Sequence, residues 1–456
     1  MGHKPFIIIL LTLGFLTRFM FFGQPNSTVF DEVHFGKFVS AYYTHQYYYD
    51  IHPPLGKLII AGFSKLFDYK AEYSFGQIGD KFQDKKYMAM RFLPSLAGSL
   101  LPLVIYLVAL RLGFKSLVAF ATGLFIIFDN AILTQSRLIL MDAFLYLFGF
   151  LCLLFYLRYR QKDGPEKTNL IWLSVFGALA ASIKWTGLTF LALVGLFELY
   201  DIYRSRTSIG RLLKSDFPKL VLFYVLIPLV IYFSFFVLHF ALLPKSGPGD
   251  AFMDVRFQKT LIGNVHQNDS SIKSMNVFEK FVDLNKQMYL GNTRLTAIHP
   301  YGSKWYTWPF MSRPIFYWVL NNARIYYLGN PTIWWSSTIA MLMLLISYLT
   351  TKTERNFTAS FLLAGYVFNI LPFLGIKRVM FLYHYAIALI FAILMLAYLF
   401  DKSLEPDHHK QKKPQRLLII LLLISAVSFI FFAPLSYGLS LSPSQYQLRT
   451  WFNGWI

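Results

Sequence analysis

Eleven apolar stretches constrain this chain more than anything else in it. They run over residues 5–22, 92–111, 116–129, 139–157, 169–183, 186–200, 217–241, 333–350, 357–375, 379–400 and 416–435. Apolar runs of about 18 residues or more are candidate transmembrane helices, because a helix satisfies its own backbone where lipid offers no water. Composition agrees: 56% of the 456 residues are hydrophobic and 14% charged, against roughly a quarter charged in soluble domains. A soluble two-domain protein is excluded. The first stretch follows Lys4 and has the look of a secretory signal. It is long for one, and Phe22-Gly23-Gln24-Pro25 is a poor cleavage site, so it reads as a retained span.

The net charge of +20 would suggest nucleic acid in a soluble protein. Here the basic residues gather between apolar stretches, the pattern that fixes topology and attracts anionic headgroups. With a cytoplasmic N-terminus, eleven spans put eighteen Lys and Arg residues on short inner loops. The short outer segments hold five: Arg137, Lys184, Lys377, Arg378 and Arg449. Only Lys184-Trp185 separates the fifth stretch from the sixth. Merging them would move Lys352, Arg355 and the basic 402–416 loop outside, so they are kept apart.

The expected molecule is an all-α, multi-pass membrane protein, one membrane-embedded domain over 1–456, with long external loops at 23–91 and 244–332. Both loops are rich in aromatic residues and are expected to contain helices lying on the bilayer. The single cysteine, Cys152, leaves no intramolecular disulfide. Asp407-His408-His409-Lys410 reads as a solvated inner loop rather than a metal site.

Four constellations have chemical potential. Phe30-Asp31-Glu32-Val33-His34 sets two carboxylates beside an apolar flank, where like charge and desolvation raise basicity. The plainer reading is a helix N-terminus, which favours acids. In His52-Pro53-Pro54-Leu55-Gly56-Lys57 the prolines break any helix and present His52 and Lys57 on a rigid corner, or simply turn a loop. Arg137 enters the fourth stretch with Asp142 close behind; a guanidinium there suits a lipid phosphate, a pair with Asp142, or snorkelling to the interface. Lys184, Lys377 and Arg378 sit at outer ends, where topology alone would not put cations. Finally, His299-Pro300-Tyr301-Gly302-Ser303-Lys304-Trp305-Tyr306-Thr307-Trp308-Pro309 interleaves aromatic and polar groups, as a sugar or peptide site does and as an interfacial belt does.

In this order along the chain, these residues resemble the protein O-mannosyltransferase family, the polyprenyl- or dolichyl-phosphate-mannose–protein mannosyltransferases. The resemblance also takes in Lys184-Trp185-Thr186-Gly187-Leu188, Leu328-Gly329-Asn330-Pro331 with Trp334-Trp335, and Arg378 with Tyr383-His384-Tyr385. It covers residues 5 to about 400 and weakens over the last fifty. It implies the glycosyltransferase-C fold with about eleven transmembrane helices, and inverting transfer of mannose from a polyprenyl-phosphate-mannose donor to Ser or Thr of exported proteins. Asp31 and Glu32 are then the catalytic pair, with Asp31 as base. Arg137, Arg378 and Lys377 bind the donor phosphate. His52, Lys57, Asp142, Lys184, His299, Tyr301, Trp308 and His384 bind substrate.

No cofactor or divalent metal is implied, since the lipid-linked sugar is a substrate. A dimer is possible. Eukaryotic members carry a β-trefoil (MIR) domain in the second long loop. Residues 244–332 leave no room for one beside the aromatic segment, which points to a compact bacterial-type member of a cell (inner) membrane with its site facing outside. Ala386 stands where eukaryotic members tend to have proline. Two other functions remain open at this stage: polyprenyl-phosphate sugar transfer to a glycolipid, and secondary transport with Asp31 and Glu32 as a cation site.

Overall fold

The structure is a computed structural model that describes residues 3–205, 212–294, 299–376, 378–404 and 412–455. Each apolar stretch coincides with helix. In chain order the elements are α1 (His3–Phe19), α2 (Glu32–Thr44), α3 (Leu55–Lys65), α4 (Tyr87–Arg111), α5 (Ser116–Ile127), α6 (Asn130–Ser136), α7 (Asp142–Arg160), α8 (Glu166–Ile183) and α9 (Leu188–Arg204). There follow α10 (Lys214–Leu242), α11 (Val277–Arg294), a hairpin of β1 (Ile315–Leu320) and β2 (Ala323–Tyr327), α12 (Pro331–Thr350), α13 (Phe357–Phe368), α14 (Ala386–Ser403) and α15 (Lys412–Tyr437).

Among the described residues, eight helices are long and apolar enough to cross a membrane. A ninth span results if α5 and α6, bent by 61° at their junction, count together. That is fewer than the eleven expected. The two left over are α1, with 17 residues, and α8, whose first turns hold Glu166, Lys167 and Asn169. Lys184 is extended (φ −147°, ψ 148°), so α8 and α9 are separate helices rather than one.

The centre of the bundle is α14, buried on every side from Ala386 to Tyr398. A helix apolar all round belongs inside, and α5, α12 and α13 pack on it. On its other flank α7 lies against α4, α8 and α9. Gly149 lets α7 and α9 close up, since a Cβ there would stand 2.1 Å from the Phe190 ring.

The two long loops meet at one end of the bundle. They contain α2, α3 and α11 and also the β-hairpin, which was not expected. Aromatic and β-branched residues flank Asn321-Asn322, and Asn321 takes the left-handed conformation (φ 52°) that a tight hairpin turn requires. Ile315 pairs with Tyr327 and Phe316 with Tyr326, but Trp318 pairs with Ile325. The register slips at Tyr317, and a bulge of this kind re-aims a side chain.

Candidate active site

Where the loops meet the bundle there is a cavity of ≈ 290 Å³. Its wall includes His52, Asp142, Lys184, Asn292, Arg378, Tyr383 and His384. An apolar groove of ≈ 990 Å³ between α9 and α10 adjoins it, and Trp185 and Phe368 line both. The groove wall runs from Phe217 to Tyr232 along α10, about 22 Å at the helical rise.

Asp31 opens α2 beside the cavity. Phe30 precedes it in the left-handed region (φ 48°), an uncommon conformation outside glycine and one found at functional turns. The Phe30 ring stacks on Tyr317 at 3.9 Å, and its amide donates to the Tyr317 carbonyl. The bulged Tyr317 hydroxyl donates in turn to Gln135 Oε1. The Asp31 carboxylate does not cap α2 and has no hydrogen-bond partner among the described residues. It stands deep among protein atoms with part of its surface open. Burial raises its pKa to about 7, Lys184 pulls it down, Asp142 and Asp50 push it up, and Arg378 lowers it. A carboxyl poised near neutrality is what a general base needs.

Glu32 is arranged in the opposite way. It is fully buried, and Arg91 grips it with two hydrogen bonds of 2.7 and 2.6 Å. The amides of Val29 and Ile139 also donate to it, each at 2.9 Å. Ile139 has a free amide to offer because the chain between α6 and α7 is not helical. Both oxygens of Glu32 are thus occupied, and the side chain clamps the Asp31 turn to α4 and the α6–α7 connection. Of the expected catalytic pair, one carboxylate is open and the other has both oxygens hydrogen-bonded.

The other expected residues divide similarly. Asp142, on the first turn of α7, accepts from Gln135 at 2.8 Å and from Lys184 Nζ at 2.7 Å. Lys184 also lies over the Tyr383 ring, 5.4 Å from its centroid. The Pro53-Pro54 corner turns His52 into the cavity wall, where burial and the cations Lys184, Lys57 and Arg378 hold its imidazole neutral. Lys57 is buried behind that corner on Asp50 and the His52 carbonyl, and it braces the corner instead of lining the cavity. His384 stacks on Tyr383 at 4.4 Å and on Trp308 at 5.8 Å. Trp308, fully buried with its indole N–H on Ser303, therefore backs the cavity wall. His299 and Tyr301 stand further out: His299 packs edge-on against Phe381, and Tyr301 packs near Phe316 and under Arg313.

Arg137 stands apart from the cavity. Its guanidinium donates to the carbonyls of Arg18, Met20 and Phe21 and lies 4.4 Å from the centre of the Tyr437 ring. The last carbonyls of a helix lack intrahelical partners, and Arg137 serves one in the last turn of α1 and two just beyond it. It does not line the cavity. Lys377 and the 407–410 tract lie outside the described residues.

Sequence reasoning gave no role to Arg91, Gln135, Tyr317, Asn292 or Asp50. Arg91, a cation at the head of an apolar stretch, carried a signal of the kind that singled out Arg137. The others are ordinary polar residues whose use depends on tertiary contact.

The profile of the dolichyl-phosphate-mannose-protein mannosyltransferase family matches residues 8–244, and that of the C-terminal four-TMM region of protein-O-mannosyltransferase matches residues 277–455. The chain belongs to the protein O-mannosyltransferase family. Relatives include dolichyl-phosphate-mannose–protein mannosyltransferase 4 of Candida albicans, 35% identical over 268 residues, covering 56% of this chain and 35% of that protein. Protein O-mannosyl-transferase 2 of Danio rerio is 35% identical over 280 residues, covering 59% and 37%. The chain spans about a third of the length of these relatives.

The fold is similar to that of a chain in the Saccharomyces cerevisiae protein O-mannosyltransferase Pmt1–Pmt2 complex bound to the sugar donor, with TM-score 0.92 and 20% identity over 100% of this chain and 93% of that one. It is also similar to ArnT of Cupriavidus metallidurans bound to undecaprenyl phosphate, with TM-score 0.54 and 13% identity over 95% of this chain and 76% of that one. The expected glycosyltransferase-C fold is present.

Proposed function

We propose that this protein transfers mannose, with inversion, from a polyprenyl-phosphate-mannose donor to Ser or Thr hydroxyls of exported proteins, on the outer face of a bacterial cell membrane. One observation carries the reading: a long apolar groove adjoins a cation-bearing cavity beside an unpartnered carboxylate. The isoprenoid chain lies in the groove, and the phosphate reaches the cavity past Trp185. Arg378 faces the phosphate, because a guanidinium is always charged and matches its geometry. His52 and His384 offer hydrogen bonds to sugar or phosphate oxygens.

The reaction is a single displacement. Asp31 takes the proton of the acceptor hydroxyl as its oxygen attacks the anomeric carbon, and the bond from that carbon to the phosphate oxygen breaks. The phosphate leaves with the bonding pair, and fixed cations stabilise its growing charge at little reorganisation cost. The relatives' names speak for a protein acceptor. Exposed aromatics at Tyr306 and Phe310 offer an extended chain a surface near the site.

The test incubates purified protein with mannosyl-phosphoryl-polyprenol and a Ser/Thr/Pro-rich peptide, followed by mass spectrometry and α-mannosidase digestion. A hexose on Ser or Thr that α-mannosidase removes supports inversion from a β-linked donor. Sugar found only on glycolipid refutes the protein acceptor. Orientation is tested by single cysteines at Ser74 and Ser270 in a Cys152→Ala background: both should react with an impermeant thiol reagent in intact cells.

A further inference from the structure

Arg378 falls in sequence between the helical turns Leu371–Leu374 and Leu382–Tyr385, and its guanidinium is held. It donates to Asn292 Oδ1 at 2.7 Å and has no other hydrogen-bond partner among the described residues. Asn292 is itself oriented from two sides. Its Nδ2 donates to the Ile51 carbonyl at 3.1 Å and to the Met288 carbonyl at 3.0 Å. Two acceptors on one side of the amide leave only the nitrogen to face them, which aims Oδ1 at Arg378. One side chain therefore joins α11, the residue preceding His52, and Arg378.

The same helix reaches the groove. Asn285 and Asn292 are seven residues apart, two turns along one face of α11. Asn285 Oδ1 accepts from Tyr232 at 2.7 Å, and the Tyr232 hydroxyl accepts from Trp185 Nε1 at 2.9 Å. Trp185 is where groove and cavity join. So α11 is fixed at both ends of the path that a lipid phosphate would take.

We infer that Asn292 is the positioning residue for Arg378, setting its guanidinium toward a lipid-borne phosphate in the cavity while α11 straps the passage from the groove. The inference rests on the lipid-phosphate reading above. Four of the five N–H donors of the guanidinium are not used by Asn292 and serve a phosphate. Without Asn292 the long side chain regains rotamer freedom, and each phosphate contact becomes costlier to form.

The experiment is a double-mutant cycle on polyprenyl phosphate binding by the purified full chain, with donor KM and kcat measured in parallel. Asn292→Ala is expected to weaken binding about tenfold and to raise donor KM while leaving acceptor KM unchanged. Arg378→Ala is expected to weaken binding at least as much, and the double variant no more than Arg378→Ala alone. Losses that add in the double variant, or Asn292→Ala within about twofold of wild type, overturn the inference. If Asn292→Ala does not fold, Asn292→Asp replaces it: a carboxylate there competes with phosphate for Arg378, and unchanged affinity overturns the inference. Wild-type protein that binds no polyprenyl phosphate overturns the underlying reading too, a result distinct from either failure of the cycle.

Discussion

Adjacent carboxylates should respond to neutralisation with opposite signs. Asp31 carries a penalty in the folded state, its pKa raised from the usual 3.8 to about 7. The unfolded chain gives up this proton at lower pH than the folded one, so stability falls as pH rises between the two values. The loss is complete above pH 7 and absent below 3.8. At about 1.4 kcal/mol per pKa unit it amounts to about 4 kcal/mol. Asp31→Asn removes it and should raise the melting temperature in detergent at pH 8, with the gain shrinking toward acid. Glu32→Gln loses the ion pair with Arg91 and turns an amide N–H₂ toward donors that need acceptors. Breaking a buried pair on one side costs about 3–5 kcal/mol, so this variant should melt lower. Turnover should collapse in Asp31→Asn without loss of fold, and fall in Glu32→Gln together with fold. Two melting shifts of the same sign at pH 8 would refute this division of labour.

The rate should follow the Asp31 carboxylate form, rising about tenfold per pH unit below 7 and levelling above it. Lys184 lowers the Asp31 pKa, so Lys184→Met should move the inflection to higher pH; a stationary inflection would remove Asp31 as the titrating base. Arg137→Met takes the donor from the Arg18 and Met20 carbonyls and one of two donors from that of Phe21, and should cost about 3 kcal/mol in stability. Its donor KM should be unchanged in the protein that remains folded, as direct binding assays would show. A Cβ on Gly195 would have only Tyr224 within reach, at 3.9 Å. Gly195→Trp should therefore fill the groove and raise donor KM about tenfold or more with acceptor KM unaffected.

The bundle was legible because hydropathy and span length obey the bilayer directly. The stretches at 92–111, 333–350 and 416–435 reappear within a few residues as α4, α12 and α15. The hairpin was missed because Phe316 to Trp318 is as apolar as the spans around it. The Asn-Asn turn that distinguishes it is two residues long, and the interfacial reading already accounted for the aromatics. In the site, His52, Asp142, Lys184, Arg378 and His384 do meet around one cavity. Each is a polar or charged residue where the local sequence is otherwise apolar or broken by proline.

Arg137 has the same cue but lies away from the cavity, because a lone cation beside apolar sequence has two remedies. It can face a ligand's charge, or it can spend its donors on backbone carbonyls that lack partners. Arg137 takes the second remedy, and the proposed function gives Arg378 the first, although both precede an apolar stretch. What separates them is the supply of local acceptors. The last turn of α1 and the two residues just past the helix give Arg137 three carbonyls, whereas Arg378 meets one asparagine oxygen. The acceptors come from the end of α1 and just past it in one case and α11 in the other, more than eighty residues away in each. Asp31 and Glu32 differ for the same reason. One residue of sequence points Glu32 at Arg91 and two backbone amides and leaves Asp31 without a donor. Glu32 has both oxygens engaged by donors, whereas Asp31 is buried without one, and that burial raises its pKa to about 7.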